Sequence, residues 1–402
     1  MNNGSMERSL LRLPGSIWAL GVVSLFMDVS SEMIHGLLPV FLVTVLGAST
    51  TTVGIIEGVG EATASISKLF SGWISDRLGR RKALTVVGYG IAALSKPLFA
   101  IAQSPAWVLG ARFSDRIGKG IRGAPRDAML SELTPPGLSG AAFGLRQSLD
   151  TAGAFAGPLL AIALMSLFHG SFRRVFWCAL LPALVSVAVL VLAVREPAAG
   201  TARAAPGPVR WGETCRLGGR RYWILVGVSA VLTLARFSEA FLILRAQSAG
   251  LSAGLAPLVL VTMNVIYAGS AYPIGALSDR IDRKHLLGAG VLVLIVADAV
   301  LALAPGVTTV MLGVALWGLH MGMTQGLLAA LVSDTAPPAL RASAFGVFNF
   351  MSGVALLLAS VLAGFLWQVV GAYATFVCGA ALAALGLIGI GLFLQPARAA
   401  HR

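Results

Sequence analysis

Charged side chains stand inside long apolar stretches of this sequence, at spacings that group them on helical faces. Asp28, Glu32 and His35 fall at i, i+4 and i+7, and Glu57 and Glu61 at i, i+4. Arg112, Asp115, Arg116, Lys119, Arg122 and Arg126 follow one another at steps of three and four, forming a single stripe. A second set, Arg236, Glu239, Arg245, Asp298, His320 and Gln325, lies in the later half. A charge at the centre of a membrane helix costs ~2.5–3.5 kcal/mol on insertion scales, so each needs a partner or a task. Two tasks suit these types. Carboxylates that meet alternately water and a dehydrated interior can take up and release protons, and a basic stripe can hold an anion. The structural alternative is that Asp28, Glu32, Glu61 and Asp115 neutralise Lys68, Lys96, Arg112 and Arg116 as fixed interhelical pairs. Asp28, Glu32, Glu61, Asp115 and Arg112 are the expected proton-coupling set. His35, Glu57, Arg116, Lys119, Arg122, Arg236, Glu239, His320 and Gln325 are expected to line a substrate cavity.

Other chemistries find little support. Met33 beside Glu32 and His35, and Met321 and Met323 beside His320, are metal-ligand types, but adjacent residues diverge around a helix, so no metal site is drawn. No nucleophile and base arrangement emerges, so no enzyme and no cofactor are expected. Cys178, Cys215 and Cys378 are scattered and make neither a disulfide framework nor a metal spacing.

The elements that must carry these charges are membrane helices. Of 402 residues, 57% are hydrophobic and 12% charged, and the mean hydropathy is +0.84, outside the range of soluble domains. Runs long enough to cross a ~30 Å hydrocarbon core recur about twelve times. Runs of this length satisfy their own backbone as helices, whereas barrel strands are shorter and alternate in polarity. The fold class is all-α, a polytopic membrane protein. The net charge of +13 reads as topology rather than nucleic-acid binding, because Arg and Lys gather in every second loop. Those loops, and with them both termini, are expected on the cytoplasmic side of a cell inner membrane, and the first apolar run is read as a span rather than a cleaved signal.

An internal repeat divides the chain. Ser131-Glu-Leu-Thr-Pro-Pro-Gly-Leu-Ser-Gly-Ala-Ala-Phe-Gly144 aligns with Ser333-Asp-Thr-Ala-Pro-Pro-Ala-Leu-Arg-Ala-Ser-Ala-Phe-Gly346, 202 residues on (333 − 131 = 202). Gly72-Trp-Ile-Ser-Asp76-Arg77 recurs as Gly275-Ala-Leu-Ser-Asp279-Arg280 at nearly the same offset. The expected organisation is a cytoplasmic tail over 1–14, a six-helix bundle over 15–195, a cytoplasmic linker over 196–221, a second bundle over 222–395 and a tail over 396–402. An even number of spans per half gives the halves one orientation, with a site expected between them near the midplane.

Three patterns resemble the major facilitator superfamily, and the resemblance extends over essentially the whole chain. Gly72-Trp-Ile-Ser-Asp76-Arg77-Leu-Gly79-Arg80-Arg81-Lys82 is similar to the family's cytoplasmic signature, with a degraded copy at 275–284. The resemblance implies a conformational latch involving Gly72, Asp76, Arg77, Gly79, Arg80, Arg126, Asp279 and Arg280. Gly144-Leu-Arg-Gln-Ser-Leu-Asp-Thr-Ala-Gly153-Ala-Phe-Ala-Gly157-Pro158 looks like the motif of the family's antiporters, although Ala161 and Ile162 stand where it has further glycines. It implies a hinge at Gly144, Gly153, Gly157 and Pro158. Arg112-Phe-Ser-Asp115-Arg116-Ile-Gly118-Lys119-Gly120-Ile-Arg122 resembles, with more charge, a pattern associated with proton transfer. The resemblance implies a monomeric alternating-access transporter, and the expected activity is proton-coupled antiport that exports a small amphiphilic organic compound. The rival expectations are an anionic metabolite, a siderophore or a metal ion moved in either direction, and a receptor that transports nothing. The expected partners are the lipid bilayer, protons and the small-molecule substrate, with no nucleic acid.

Overall fold

Helix starts and stops follow local chemistry. Ser104 accepts a hydrogen bond from the Trp107 amide at 3.3 Å with Pro105 in the first turn, and Asp282 accepts from the Lys284 amide at 2.8 Å, so each opens a helix. The computed structural model describes residues 13–78, 80–135, 138–196, 219–278, 281–335 and 341–393. Among these no strand occurs. The latch positions Gly72, Asp76, Arg77, Gly79, Asp279 and Arg280 lie outside what is described of backbone or side chain.

The described helices of the first half are α1 (Gly15–His35), α2 (Leu38–Thr44), α3 (Thr50–Leu78), α4 (Arg81–Ile101), α5 (Pro105–Leu133), α6 (Ser139–Leu167), α7 (Phe172–Cys178) and α8 (Leu180–Ala193). Those of the second half are α9 (Arg220–Ala235), α10 (Ala240–Ser248), α11 (Leu258–Leu277), α12 (Arg283–Leu303), α13 (Val307–Thr335), α14 (Arg341–Val369) and α15 (Ala372–Phe393). The repeat is visible in these bounds. The limits of α12, α13 and α14 are those of α4, α5 and α6 displaced by 202 residues (283 − 81, 307 − 105, 341 − 139). The expected first and seventh spans are each broken, after His35 and after Ala235, and α2 and α10 resume at the same offset (240 − 38 = 202).

Ten segments among the described residues are long and apolar enough to cross a membrane, with α1 plus α2 and α9 plus α10 each forming one of them. α3 and α5 are not among the ten. Each has 29 residues, ~44 Å at 1.5 Å per residue, but charged residues interrupt its apolar length.

By contact the chain forms two units, one of residues 1–38 and 63–208, the other of residues 39–62 and 209–402. In the first, Leu20, Val23, Met27, Tyr89, Met129 and Leu190 make the apolar core. α1 packs on α6, and α4 on α5. Glycines set both crossings. A β-carbon at Gly153 would lie 2.7 Å from the Leu25 carbonyl oxygen, and one at Gly157 2.7 Å from that of Val29. At Gly118 it would lie 2.6 Å from the Gly88 carbonyl oxygen. In the second unit, Thr50 of α3 donates to the Gly364 carbonyl of α14 at 3.1 Å, and Tyr222 to that of Ala344 at 2.9 Å.

Candidate functional site

The α1 face that carries the acids is held at backbone distance from α6. At Gly157 a β-carbon would sit 2.8 Å from that of Glu32, and at Gly153 3.0 Å from that of Asp28. The two glycines named as hinge residues therefore also seat the acidic face. Pro158, inside α6, withdraws one backbone donor in the same turn. Opposite stands the charged stripe of α5, which crosses α4 through Gly118 and meets α3 at Gly120, where a β-carbon would lie 2.9 Å from the Ala64 carbonyl oxygen.

Between α1 and α5 is a tight polar crevice with about 10 Å³ of free volume, roughly the room of one water molecule. Asp28, Ser31, Glu32 and His35 line one side, and Arg112, Asp115, Arg116, Lys119 and Arg122 the other. Eight of these nine are positions the sequence nominates; Ser31 is the addition. His35 Nδ1 lies 3.4 Å from Glu32 Oε2. Lys119 and Arg122 are electrostatic neighbours of Asp28, and Lys119 and Arg116 of Glu32.

Within this pocket Asp115 is engaged. Lys96 of α4 donates to its Oδ1 at 2.7 Å and to Ser31 Oγ at 3.1 Å, while Ser95 Oγ donates to Asp115 at 3.3 Å. Both charged groups are almost fully buried. Arg122 is 5% exposed, its guanidinium lies over the Tyr89 ring at 4.6 Å, and its Nη2 is 4.0 Å from Asp28 Oδ1. Its Nη1 has no hydrogen-bond partner among the described residues. Four cationic side chains thus line the pocket against three carboxylates, and Asp115 is already joined to Lys96.

The other nominated positions are distributed elsewhere. Arg126 donates to Ser24 Oγ at 2.8 Å and contacts Asp127 at 3.2 Å. Ser24 lies 3.3 Å from the Tyr89 hydroxyl. Arg80 is exposed, and the Gly144 backbone has open space beside it. Glu57, buried, and Glu61, half-buried, belong to the second contact unit. There Arg236 caps the broken end of α9 with Glu239 and Tyr267 as electrostatic neighbours, and Tyr267 reaches Gln325 Oε1 at 3.2 Å. His320 is buried, with Nδ1 2.8 Å from the Gly290 carbonyl oxygen.

Sequence reasoning passed over an acidic and basic group around α6. Arg146 pairs with Asp150 one turn on and lies 3.6 Å from Asp127, and Asp150 is an electrostatic neighbour of Asp28. The i, i+4 spacing of Arg146 and Asp150 was the available signal.

The family model described as Major Facilitator Superfamily matches residues 20–252 and 224–402. An MFS-type transporter of Methanocaldococcus jannaschii, itself uncharacterised, is 33% identical over 393 residues, 95% of this chain and 94% of its own. A gentisate transporter of Corynebacterium glutamicum is 28% identical over 364 residues, covering 86% of this chain and 80% of its own. Among solved structures, a bacterial homologue of the human lysosomal transporter Spinster, inward-facing and unoccupied, superposes with a TM-score of 0.75 at 17% identity over 98% of each chain.

Proposed function

Because the chain belongs to the Major Facilitator Superfamily, and so is a multi-pass membrane transporter rather than an enzyme, we propose that it moves a small organic anion coupled to protons through the α1–α5 pocket. The observation that carries this reading is Arg122: a buried guanidinium lining the pocket with one nitrogen unpartnered among the described residues. A carboxylate of the substrate satisfies that nitrogen in a charge-assisted hydrogen bond, with Arg116 and Lys119 supplying further positive potential. The gentisate transporter among the relatives supports an aromatic acid as the first compound to try.

In this reading Asp28 and Glu32 move the proton. Each faces Lys119 and an arginine neighbour, Arg122 for Asp28 and Arg116 for Glu32. An arriving anion competes for those cations, and the carboxylates then favour protonation. Anion and proton then bind together, which gives symport; antiport requires instead that each displace the other from the cations. The α6 motif favours antiport by resemblance, but the packing of Gly153 and Gly157 on α1 gives those glycines a structural task in either case. α3 and α5 complete twelve spans, with their charges turned from lipid, and both termini lie on the cytoplasmic side of the inner membrane. Asp115 in this reading is a fixed anchor for Lys96 rather than a proton carrier.

The test is calorimetric binding of gentisate and benzoate to purified protein. Arg122→Gln should weaken binding ~10- to 100-fold, the range of one charge-assisted hydrogen bond. Equal affinity in the variant would remove Arg122 from the site, and binding of organic cations instead would remove the anion.

A further inference from the structure

Asp298 of α12 is fully buried, and neither of its carboxyl oxygens has a hydrogen-bond or ion-pair partner among the described residues. Its origin is visible in the repeat. The helix bounds displaced by 202 residues make position 298 the counterpart of Lys96, and position 317 that of Asp115. In the first unit those two positions form the buried pair. In the second, the pair's other place is taken by Trp317, itself fully buried, so Asp298 has kept a charged type and lost its partner.

What surrounds the carboxyl is specific. A β-carbon at Gly379 of α15 would lie 2.7 Å from Asp298 Oδ2, 3.1 Å from the Phe237 ring edge and 3.3 Å from the Ala235 carbonyl oxygen. Ala235 is the last residue of α9, where the span breaks. The Asp298 carboxyl and the end of α9 thus face the same glycine of α15, and the final carbonyls of a helix lack intrahelical donors. Phe237 packs in turn on Trp317 at 5.2 Å and Phe376 at 5.5 Å between ring centres. Of the titratable groups on neighbouring elements, Arg236 and Glu239 at the break, His320 on α13 and Cys378 on α15, Cys378 alone is in electrostatic contact with Asp298. Among the described residues no cation offsets a negative charge there, and an isolated buried carboxylate is far costlier than the neutral acid.

We propose that Asp298 is a proton-binding site of the second unit, neutral in this conformation and placed next to the α9–α10 break. When the break rearranges and admits water, the proton passes from the carboxyl oxygen to water and leaves a carboxylate; no other bond changes. This site stands independently of the anion pocket and of the coupling assigned to Asp28 and Glu32.

The test is infrared spectroscopy of the full chain in liposomes at neutral pH, without substrate. The carboxylic-acid C=O band of the wild type should lose one component in Asp298→Asn, which preserves shape and neutrality. Gly379→Ala, which crowds the carboxyl without removing it, should shift that component rather than delete it. It should also persist when choline chloride is exchanged for sodium chloride. Overlapping acid bands in wild type and Asp298→Asn, together with no shift in Gly379→Ala, would overturn the assignment. Loss of the band on adding sodium at fixed pH would overturn it too, in favour of a cation site.

Discussion

Replacing Lys96 by Met removes the cation from a pair in which both groups are almost fully buried and 2.7 Å apart. Met keeps the length and apolar stem of Lys, so little packing is lost and the change falls on Asp115. Ser95 Oγ remains at 3.3 Å as a donor, but one neutral hydrogen bond does not balance a buried carboxylate. Breaking a buried pair from one side costs about 3–5 kcal/mol. The double variant Lys96→Met/Asp115→Leu leaves no orphaned charge and should recover ~2 kcal/mol or more of that loss, a coupling typical of residues in direct contact. The assay is reversible denaturant unfolding in mixed micelles for wild type, both single variants and the double. If the double variant is as unstable as the sum of its singles, the two groups do not interact, and the assignment of Asp115 as a fixed anchor is wrong.

Gly157→Leu should abolish transport and destabilise the first unit by ~1–3 kcal/mol or more, because its side chain would enter the Val29 backbone and the Glu32 β-carbon; flux assays and melting curves measure both. Tyr89→Phe should cost about 1 kcal/mol by removing the hydroxyl beside Ser24, while the ring under Arg122 stays, so anion binding should be nearly unchanged in the same calorimetric titration. Arg146→Ala should be milder in stability than Lys96→Met, ~1–2 kcal/mol in unfolding, because Asp150 and Asp127 are less buried than Asp115.

The repeat at Ser131 and Ser333 carries through to helix bounds that coincide at the same offset, so local sequence was enough to align the halves. The charged stripe of α5 and the acid face of α1 were legible because helical spacing alone fixes which residues share a face. Lys68, Lys96, Arg112 and Arg116 were legible as candidate partners, but which of them meets which acid was not. Lys96 meets Asp115 only because Gly118 lets α5 approach the Gly88 carbonyl, a crossing between helices that no periodicity within one helix encodes. The break after His35 carried a stop signal in Gly36 and Pro39, whereas the one after Ala235 runs through Arg-Phe-Ser-Glu with neither glycine nor proline. That second break has no local signal, and the place of Asp298 near it was hidden with it.

The proposed transport requires protons and an organic anion to share the α1–α5 pocket. The most direct measurement is proton movement across liposomes containing the purified protein when an aromatic carboxylate is added, in wild type, Arg122→Gln, Asp28→Asn and Glu32→Gln. The account predicts anion-dependent proton movement in the wild type, lost in Arg122→Gln together with the flux, and flux freed from proton movement in Asp28→Asn or Glu32→Gln. Anion flux with unchanged proton movement in all three variants would contradict it.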